Sequence, residues 1–242
     1  RRPHELLARR RGPGPHAALA LAADARPRAG AGCTALQPRG ADDQPDRGHR
    51  YRLVGDGVLR WLMASLKVER VVAVSRKPLP VQHTKLETVI EADMFRLQHL
   101  DALRDFDACF FCLGASSVGM SAEDYRRLTY DLTLAVARQL LPGNPRMVFE
   151  YISGEGTDAN SQNWARVKAE TETALLNMGF RDAYAIRPGF IQPMRGVTSR
   201  IRSVRWMYAL TAPVYPVLQK MFGRWVTSTD LLADAMLQLA IT

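Results

Sequence analysis

Five apolar segments of the sequence are each followed by residues whose types suit ligand binding. The stretches that follow them are Ser75-Arg76-Lys77, Asp93-Met94, Gly114-Ala115-Ser116, Ser153-Gly154 and Arg187-Pro188-Gly189. Arginine and lysine suit phosphate groups, because arginine binds phosphate in a bidentate way and lysine supplies a compact positive charge. A glycine lets the backbone approach a ligand closely. Function is therefore expected at these stretches, provided that the fold brings them to one place.

Alternating strand and helix patterns predict that the fold does so. The predicted strands are VERVVAVS, LETVIEAD, DACFFCLG, RMVFEYISG and DAYAIRPGFI, and the predicted helices are DGVLRWLMAS, LQHLDALRDF, SAEDYRRLTYDLTLAVARQLLPG and NWARVKAETETALLNMG. Strands that are apolar throughout and alternate with helices are typical of a parallel sheet with helices on both faces. The predicted fold class is a doubly wound, Rossmann-like α/β domain, which binds ligands beyond the carboxyl ends of its strands.

The beginning of the chain differs in composition from the rest. Residues 1–50 contain ten arginines against five acidic residues, and so supply +5 of the net charge of +9. They contain no Ile, Val, Phe, Tyr, Trp or Met and cannot build a normal core. We expect residues 1–52 to be disordered or non-native and residues 53–242 to form the Rossmann-like domain. The other basic residues form no nucleic-acid-binding motif, so no nucleic-acid partner is expected.

Several stretches after residue 53 resemble the atypical short-chain dehydrogenase/reductase superfamily. They are VERVVAVSRKPL, CLGASSVGMSAEDYRRLTYDLT, YISGEGTD, NWARVKAETE and AIRPGFIQP. The resemblance is to its NAD(P)H-binding, epimerase-like branch, the NAD-dependent epimerase/dehydratase family, which includes Tat-interacting oxidoreductase-like proteins. It implies an NAD(P)-dependent oxidoreductase or epimerase that acts on a small carbonyl or sugar-like substrate, which the sequence does not identify.

Arg76 and Lys77 indicate which nicotinamide cofactor such a protein would bind. They follow the strand that in NAD-selective enzymes ends in an acidic residue, which binds the ribose 2′-hydroxyl. Two cations suit a 2′-phosphate instead, and this favours NADP over NAD. The alternative is a solvated turn before Pro78.

The resemblance assigns further cofactor-binding residues. It places Asp93 and Met94 beside the adenine, Lys168 on the nicotinamide ribose and Gly55 at the remnant of a phosphate-binding loop. The remaining predicted contacts are Gly114, Ala115, Ser116, Arg187 and Pro188. The alternative for the glycines is a plain turn, and for Lys168 a solvated position on a helix.

The resemblance also implies a change at the centre of the active site. Members of the superfamily use a Tyr-x-x-x-Lys helix with an upstream serine, in which tyrosine exchanges a proton with the substrate. Here Ser153 and Lys168 are kept as predicted catalytic residues, while Trp164 replaces the tyrosine. Because an indole cannot exchange a proton at neutral pH, a second hypothesis is a regulatory module that senses NADP(H) without turnover. Other candidate proton donors are Tyr125, Tyr130, Tyr151 and Glu155.

The first strand of such a domain, and a following Thr-Gly-Ala-Thr-Gly loop, are not recognisable before Val54. Codons for residues 46–51, read one base later, permit Thr-Gly-Ala-Thr-Gly-Ile. We therefore hypothesise that residues 1 to about 52 are an out-of-frame translation. A basic disordered arm is the alternative.

Two other features bear on location and partners. Cys109 and Cys112 form a C-x-x-C within an apolar run, where residues three apart point to opposite faces of a strand. They are expected to be core residues and not to bind a metal. The three cysteines of the chain do not form a disulfide framework, which favours a cytoplasmic location for the protein. Residues 190–228 are predicted to form a small substrate lobe. An alternative for residues 200–225 is peripheral membrane contact through a basic, aromatic helix.

Overall fold

Six parallel strands form the central sheet of the protein. The computed structural model describes residues 16–21, 49–161, 164–192 and 226–242. The strands of the sheet are β1 (His16–Leu21), β2 (Val68–Ser75), β3 (Leu86–Ile90), β4 (Ala108–Phe111), β5 (Val148–Ile152) and β6 (Asp182–Ile186). Their spatial order is β3-β2-β1-β4-β5-β6, and all neighbouring pairs are parallel. This order is that of a doubly wound α/β fold, so the predicted fold class is confirmed.

Helices cover both faces of the sheet. Helix α1 (His49–Ala64) packs on one face together with the C-terminal helix, Thr229–Ile241, which we call α5. Helices α3 (Leu132–Leu140) and α4 (Trp164–Leu176) pack on the other face. Because both faces are covered, every residue of β4 and β5 is buried. This explains why these strands are apolar almost throughout.

A first strand is present, although none is recognisable from the sequence before Val54. His16–Leu21 lies at the centre of the sheet, paired with β2 on one side and β4 on the other. Its alanines and leucines have a weak preference for strands, but pairing with a strand on each side overrides that preference. Residues 1–15 and 22–48 lie outside the described part of the chain. The domain boundary at residue 53 and the out-of-frame hypothesis therefore remain predictions.

Helix α1 packs closely against α5 through a glycine. An ideal Cβ placed on Gly57 would lie 2.6 Å from the Cβ of Thr229, the first residue of α5. No larger residue fits there without movement of one helix. Gly57 therefore serves the packing of two helices.

The helix predicted after β4 is confirmed, with one irregularity. Ser121 caps it, since its hydroxyl accepts a hydrogen bond of 3.0 Å from the backbone N–H of Asp124. The helix runs through α2 (Ala122–Arg126), a π-helical turn at Arg127–Asp131 and α3. It ends in a 3₁₀ turn at Leu141–Gly143.

The helix predicted over residues 97–106 is wrong, because only Leu100–Leu103 forms a single 3₁₀ turn. The buried carboxylate of Glu91 accepts hydrogen bonds from the backbone N–H groups of Gln98 (2.9 Å) and His99 (2.8 Å). These bonds anchor the segment as a loop, and the left-handed conformation of Asp105 (φ 61°) ends it. Leu97 and Leu103 are nevertheless buried, so the apolar spacing reflects burial without a regular helix.

The two cysteines of the C-x-x-C are buried on opposite faces of the sheet, as predicted. Cys109 packs with the α3 and α4 core, and Cys112 packs with the α1 and α5 core. Burial raises the pKa of both thiols, so they stay protonated at neutral pH.

The predicted substrate lobe is described only at its two ends. There, β7 (Phe190–Gln192) pairs in parallel with β8 (Val226–Ser228). Residues 193–225, including the segment considered for membrane contact, lie outside the described residues. Within the described part, no helix has the length and apolar character needed to cross a membrane.

Candidate functional site

The carboxyl ends of β2, β4, β5 and β6 meet at one edge of the sheet, because all of these strands are parallel. The strand order reverses between β1 and β4, and doubly wound folds bind ligands at such a point. The predicted stretches after β2, β4, β5 and β6 lie at this edge. We call it the ligand edge.

At the end of β2, a tight turn presents two cations. The buried Ser75 donates its side-chain hydroxyl to the carbonyl of Lys77. Its own carbonyl accepts from the N–H of Glu91 at 2.9 Å, which joins the turn to the end of β3. Arg76 is partly buried and Lys77 is exposed. This arrangement leaves Lys77 accessible to an anionic ligand.

The two residues predicted beside the adenine take different positions. Asp93 is exposed, and its carboxylate accepts a hydrogen bond of 2.9 Å from the N–H of Phe95. Met94 is 6% exposed and packs in the core under α3. Asp93 therefore shapes a local turn, and its contact with a cofactor stays a prediction.

After β4, the chain leaves the sheet through small residues. Gly114 and Ala115 are buried at the ligand edge. Ser116 is exposed, and its hydroxyl accepts from the N–H of Val118 at 3.3 Å. The small residues keep this stretch open to the close approach of a ligand.

Ser153 is fixed at the end of β5. It is 4% exposed, and its N–H donates to the carbonyl of Ile186 at 2.8 Å. Its hydroxyl lies 3.2 Å from that of Thr157, which itself donates to the carbonyl of Gly154 at 2.7 Å. The hydroxyl proton of Ser153 is thus directed to Thr157, which leaves the lone pairs of Ser153 to accept from a ligand.

Lys168 is the most distinctive residue of the site. It projects from α4, yet it is only 4% exposed. Its ammonium lies 3.4 Å from the hydroxyl of Tyr151 and 3.5 Å from the carbonyl oxygen of Ile152, both in β5. A solvated lysine, the alternative considered from the sequence, is therefore wrong. Because lysine is rarely buried in a protein without a specific partner, Lys168 is a candidate ligand-binding residue.

Trp164 occupies the start of α4, one turn before Lys168. Its indole lies against the loop after β5: a Cβ added to Gly154 or Gly156 would come within 3.8 or 3.6 Å of the ring. Gly156 has a left-handed φ of +80°, a conformation that favours glycine. The indole and this loop form one wall of the ligand edge.

Arg187 has a partner within the protein. Its guanidinium makes a bidentate ion pair with Glu172 of α4, with an Nε to Oε1 distance of 3.0 Å. This hydrogen-bonded carboxylate raises the pKa of Arg187. Pro188 is buried. The observed contacts therefore show that Arg187 joins β6 to α4, and contact of Arg187 and Pro188 with a cofactor stays a prediction.

The loop role expected for Gly55 is wrong. Gly55 lies inside α1, where a backbone N–H bonds to the carbonyl four residues earlier. The segment between β1 and α1, which would hold a pyrophosphate in this fold class, lies outside the described residues.

The structure also separates the four candidate proton donors. Tyr151 is buried and lies next to Lys168. Tyr125 is buried in α2, Tyr130 lies under an arginine side chain, and Glu155 is exposed. Among these four, the described contacts single out Tyr151 as the partner of Lys168.

Sequence reasoning missed a buried acid in the same strand. Its neighbours Phe149 and Tyr151 point to the face covered by α3 and α4. Because successive side chains of a strand point to opposite faces, Glu150 points to the face covered by α1 and α5. It is 0% exposed, and its carboxyl has no hydrogen-bond partner in the described part of the chain. Burial raises its pKa to about 9, so it is neutral at pH 7. The sequence signal that could have identified it is a single acidic residue within an otherwise apolar strand.

Sequence comparisons find relatives that share about a quarter of their residues with the chain. Protein fmp52-1, mitochondrial, of Aspergillus oryzae is 26% identical over 191 residues, which cover 76% of this chain and 80% of the relative. Protein fmp52, mitochondrial, of Emericella nidulans is 25% identical, with coverage of 76% and 81%. No family model matches the chain. The names of these relatives place them in mitochondria, and this contradicts the expected cytoplasmic location.

Structural comparisons find an epimerase, an enzyme in complex with NAD⁺ and a reductase domain with the same fold. An epimerase of Helicobacter pylori, ADP-L-glycero-D-manno-heptose-6-epimerase, gives a TM-score of 0.55 at 11% identity, covering 95% of this chain and 74% of the epimerase. WbmF of Bordetella bronchiseptica, in complex with NAD⁺ and UDP, gives 0.56 at 13% identity, with coverage of 94% and 69%. The PhqB reductase domain of Penicillium fellutanum gives a TM-score of 0.53 at 14% identity. The match covers 78% of this chain and 61% of that domain. At these identities the likenesses show the fold.

Proposed function

We propose that this protein binds a nicotinamide dinucleotide at the ligand edge and acts as an oxidoreductase or epimerase-like enzyme of the atypical short-chain dehydrogenase/reductase type. The observation that carries the proposal is the buried ammonium of Lys168 at the end of β5. Its chemistry matches the hydroxyl groups of a ribose, which accept hydrogen bonds from a cation. The NAD⁺ complex of WbmF, which has the same fold, supports the cofactor class.

The residues at the ligand edge fit different parts of such a cofactor. Lys168 would hold the nicotinamide ribose, and Gly114 with Ala115 would allow the dinucleotide to lie close to the backbone. When bound, the nicotinamide supplies or accepts a hydride. Ser153 would orient a substrate hydroxyl, whose O–H can donate to the lone pairs that the bond of Ser153 to Thr157 leaves open. The substrate class remains a small carbonyl or sugar-like molecule.

Arg76 and Lys77 support NADP over NAD. Lys77 is exposed directly beyond β2, and the turn that holds it contains no acidic side chain to bind a ribose 2′-hydroxyl. A 2′-phosphate would gain charge-assisted hydrogen bonds here.

Calorimetric titration of the full chain with NADPH and NADH tests the proposed cofactor. We expect NADPH to bind about tenfold or more tightly than NADH, since one charge-assisted bond to the phosphate is worth about 1.5 kcal/mol. Equal affinities would contradict the assignment to Arg76 and Lys77. Absence of binding by either dinucleotide would contradict the proposed function itself.

Trp164 favours a second candidate, a module that senses NADP(H) without turnover. The indole stands where the resemblance implies the proton-donating tyrosine, and it packs on Gly154 and Gly156. An indole N–H donates a hydrogen bond but transfers no proton to a carbonyl oxygen at neutral pH.

A Trp164→Tyr variant separates the two candidates. We expect it to raise the rate of NADPH-dependent reduction of an aromatic aldehyde by about 100-fold or more, the typical contribution of a positioned general acid. Trp164→Phe, which adds no hydroxyl, is the matched control and should stay at the wild-type rate. A measurable wild-type rate equal to that of Trp164→Tyr would show that another donor serves and would exclude the sensing module.

Two proposals concern location and relationship. The names of the relatives support a mitochondrial location for this chain. The narrower resemblance to Tat-interacting oxidoreductase-like proteins stays a prediction, and membrane contact through residues 200–225 stays the alternative to a substrate lobe.

A further inference from the structure

The position of Lys168 depends on groups that lie in strand β5. A buried ammonium loses its hydration and needs acceptors or a π face close by. The hydroxyl of Tyr151 and the carbonyl of Ile152 supply acceptors at 3.4 and 3.5 Å. Both belong to consecutive residues at the carboxyl end of the strand.

Tyr151 contributes more than its hydroxyl. The ammonium of Lys168 lies 5.2 Å from the centre of the Tyr151 ring, within the range of a cation–π interaction. The ring itself is 2% exposed and packs on Phe111 with a centroid distance of 6.1 Å. Tyr151 is therefore a rigid support, whereas Lys168 has a long side chain with several rotatable bonds.

We infer that Tyr151 is a positioning residue that holds the Lys168 ammonium at the ligand edge for the nicotinamide cofactor. This inference rests on the proposed function, and it names the residue that makes the lysine effective. The phenol lies in the strand, not on the helix that carries Trp164 and Lys168. The spacing of residues along that helix therefore does not predict a role for Tyr151.

Tyr151→Phe tests the inference because it removes only the hydroxyl. The ring, its packing on Phe111 and its face toward the ammonium are kept. In the variant we expect Lys168 to be acylated about threefold to tenfold faster by an amine-reactive ester, measured by mass spectrometry on the protein without cofactor. We also expect the Kd for NADPH to rise by about threefold to tenfold, the effect of one ordinary hydrogen bond.

The matched control is Tyr184→Phe. Tyr184 pairs with Glu150 in the sheet, and its side chain therefore lies on the face opposite that of Tyr151. It should change neither the acylation of Lys168 nor the Kd. In a Lys168→Met background, Tyr151→Phe should have no further effect on the Kd, since Tyr151 acts through the lysine. The melting temperature of each variant shows whether it remains folded.

Two results overturn the inference in different ways. If wild-type protein binds NADPH and Tyr151→Phe binds it equally well, Tyr151 has only a structural role and the proposed function stands. If the wild-type chain binds neither NADPH nor NADH, the proposed function fails and the inference falls with it.

Discussion

Replacing Lys168 by methionine is expected to weaken NADPH binding by about 100-fold, the loss of hydrogen bonds from one charged group. Lys168 is buried at the end of β5, so no exposed cation can take its place there. Methionine has a similar length and fills the same space without charge. The substitution removes the desolvation cost of the ammonium, but it leaves the acceptors of Tyr151 and Ile152 without this donor. A melting temperature close to that of the wild type would show that the loss of binding occurs in a folded protein.

Lys67→Met is the matched control, since Lys67 is exposed and directly precedes the amino end of β2, at the opposite end of the sheet from the ligand edge. It should bind NADPH as the wild type does. Lys168→Arg keeps the charge and should give an intermediate affinity. Unchanged affinity in Lys168→Met would remove the observation on which the proposed function depends.

Replacing Glu150 by glutamine is expected to increase the free energy of unfolding at pH 7 by about 3 kcal/mol. The pKa of Glu150 is raised from 4.5 to about 9 by burial. At pH 7 the unfolded chain carries this carboxylate ionised, and folding must take up a proton. For each pH unit between the pKa of this carboxyl in the unfolded chain and pH 7, proton uptake lowers the free energy of unfolding by about 1.4 kcal/mol. Glutamine is neutral in both states and avoids that cost.

The sign of the pH dependence is also fixed. A raised pKa in the folded state means that stability is greatest below about pH 4.5 and falls as the pH rises toward 9. Urea unfolding from about pH 5 to about pH 8 should show this slope in the wild type and a smaller slope in Glu150→Gln. Glu123→Gln, at an exposed residue of α2, should leave the slope unchanged. Equal slopes in the wild type and Glu150→Gln would show that Glu150 is ionised in the folded protein.

The strands of the sheet were predictable because burial on both faces demands apolar residues at every position. VERVVAVS corresponds to β2, and the runs that contain β4 and β5 were recognised in the same way. Since the strands are parallel, the residues after them had to share an edge. The pattern alone therefore predicted Arg76, Gly114 and Ser153 at this edge.

Other features depend on contacts between distant residues, which a single sequence does not show. β1 has a composition with little strand preference, and only pairing with β2 and β4 makes it a strand. The Glu91 carboxylate converts a predicted helix into a loop through bonds to Gln98 and His99. The bidentate contact of Arg187 with Glu172 likewise joins residues that no spacing rule connects.

Hydrogen exchange with and without NADPH tests most directly whether the ligand edge is a nicotinamide dinucleotide site. With saturating NADPH, we predict slower exchange at the backbone amides of residues 114–116 and 153–157. The amides of residues 177–181, which precede β6 at the opposite end of the sheet, should exchange as before. Protection confined to segments away from the carboxyl ends of the strands, or none at all, would contradict the account.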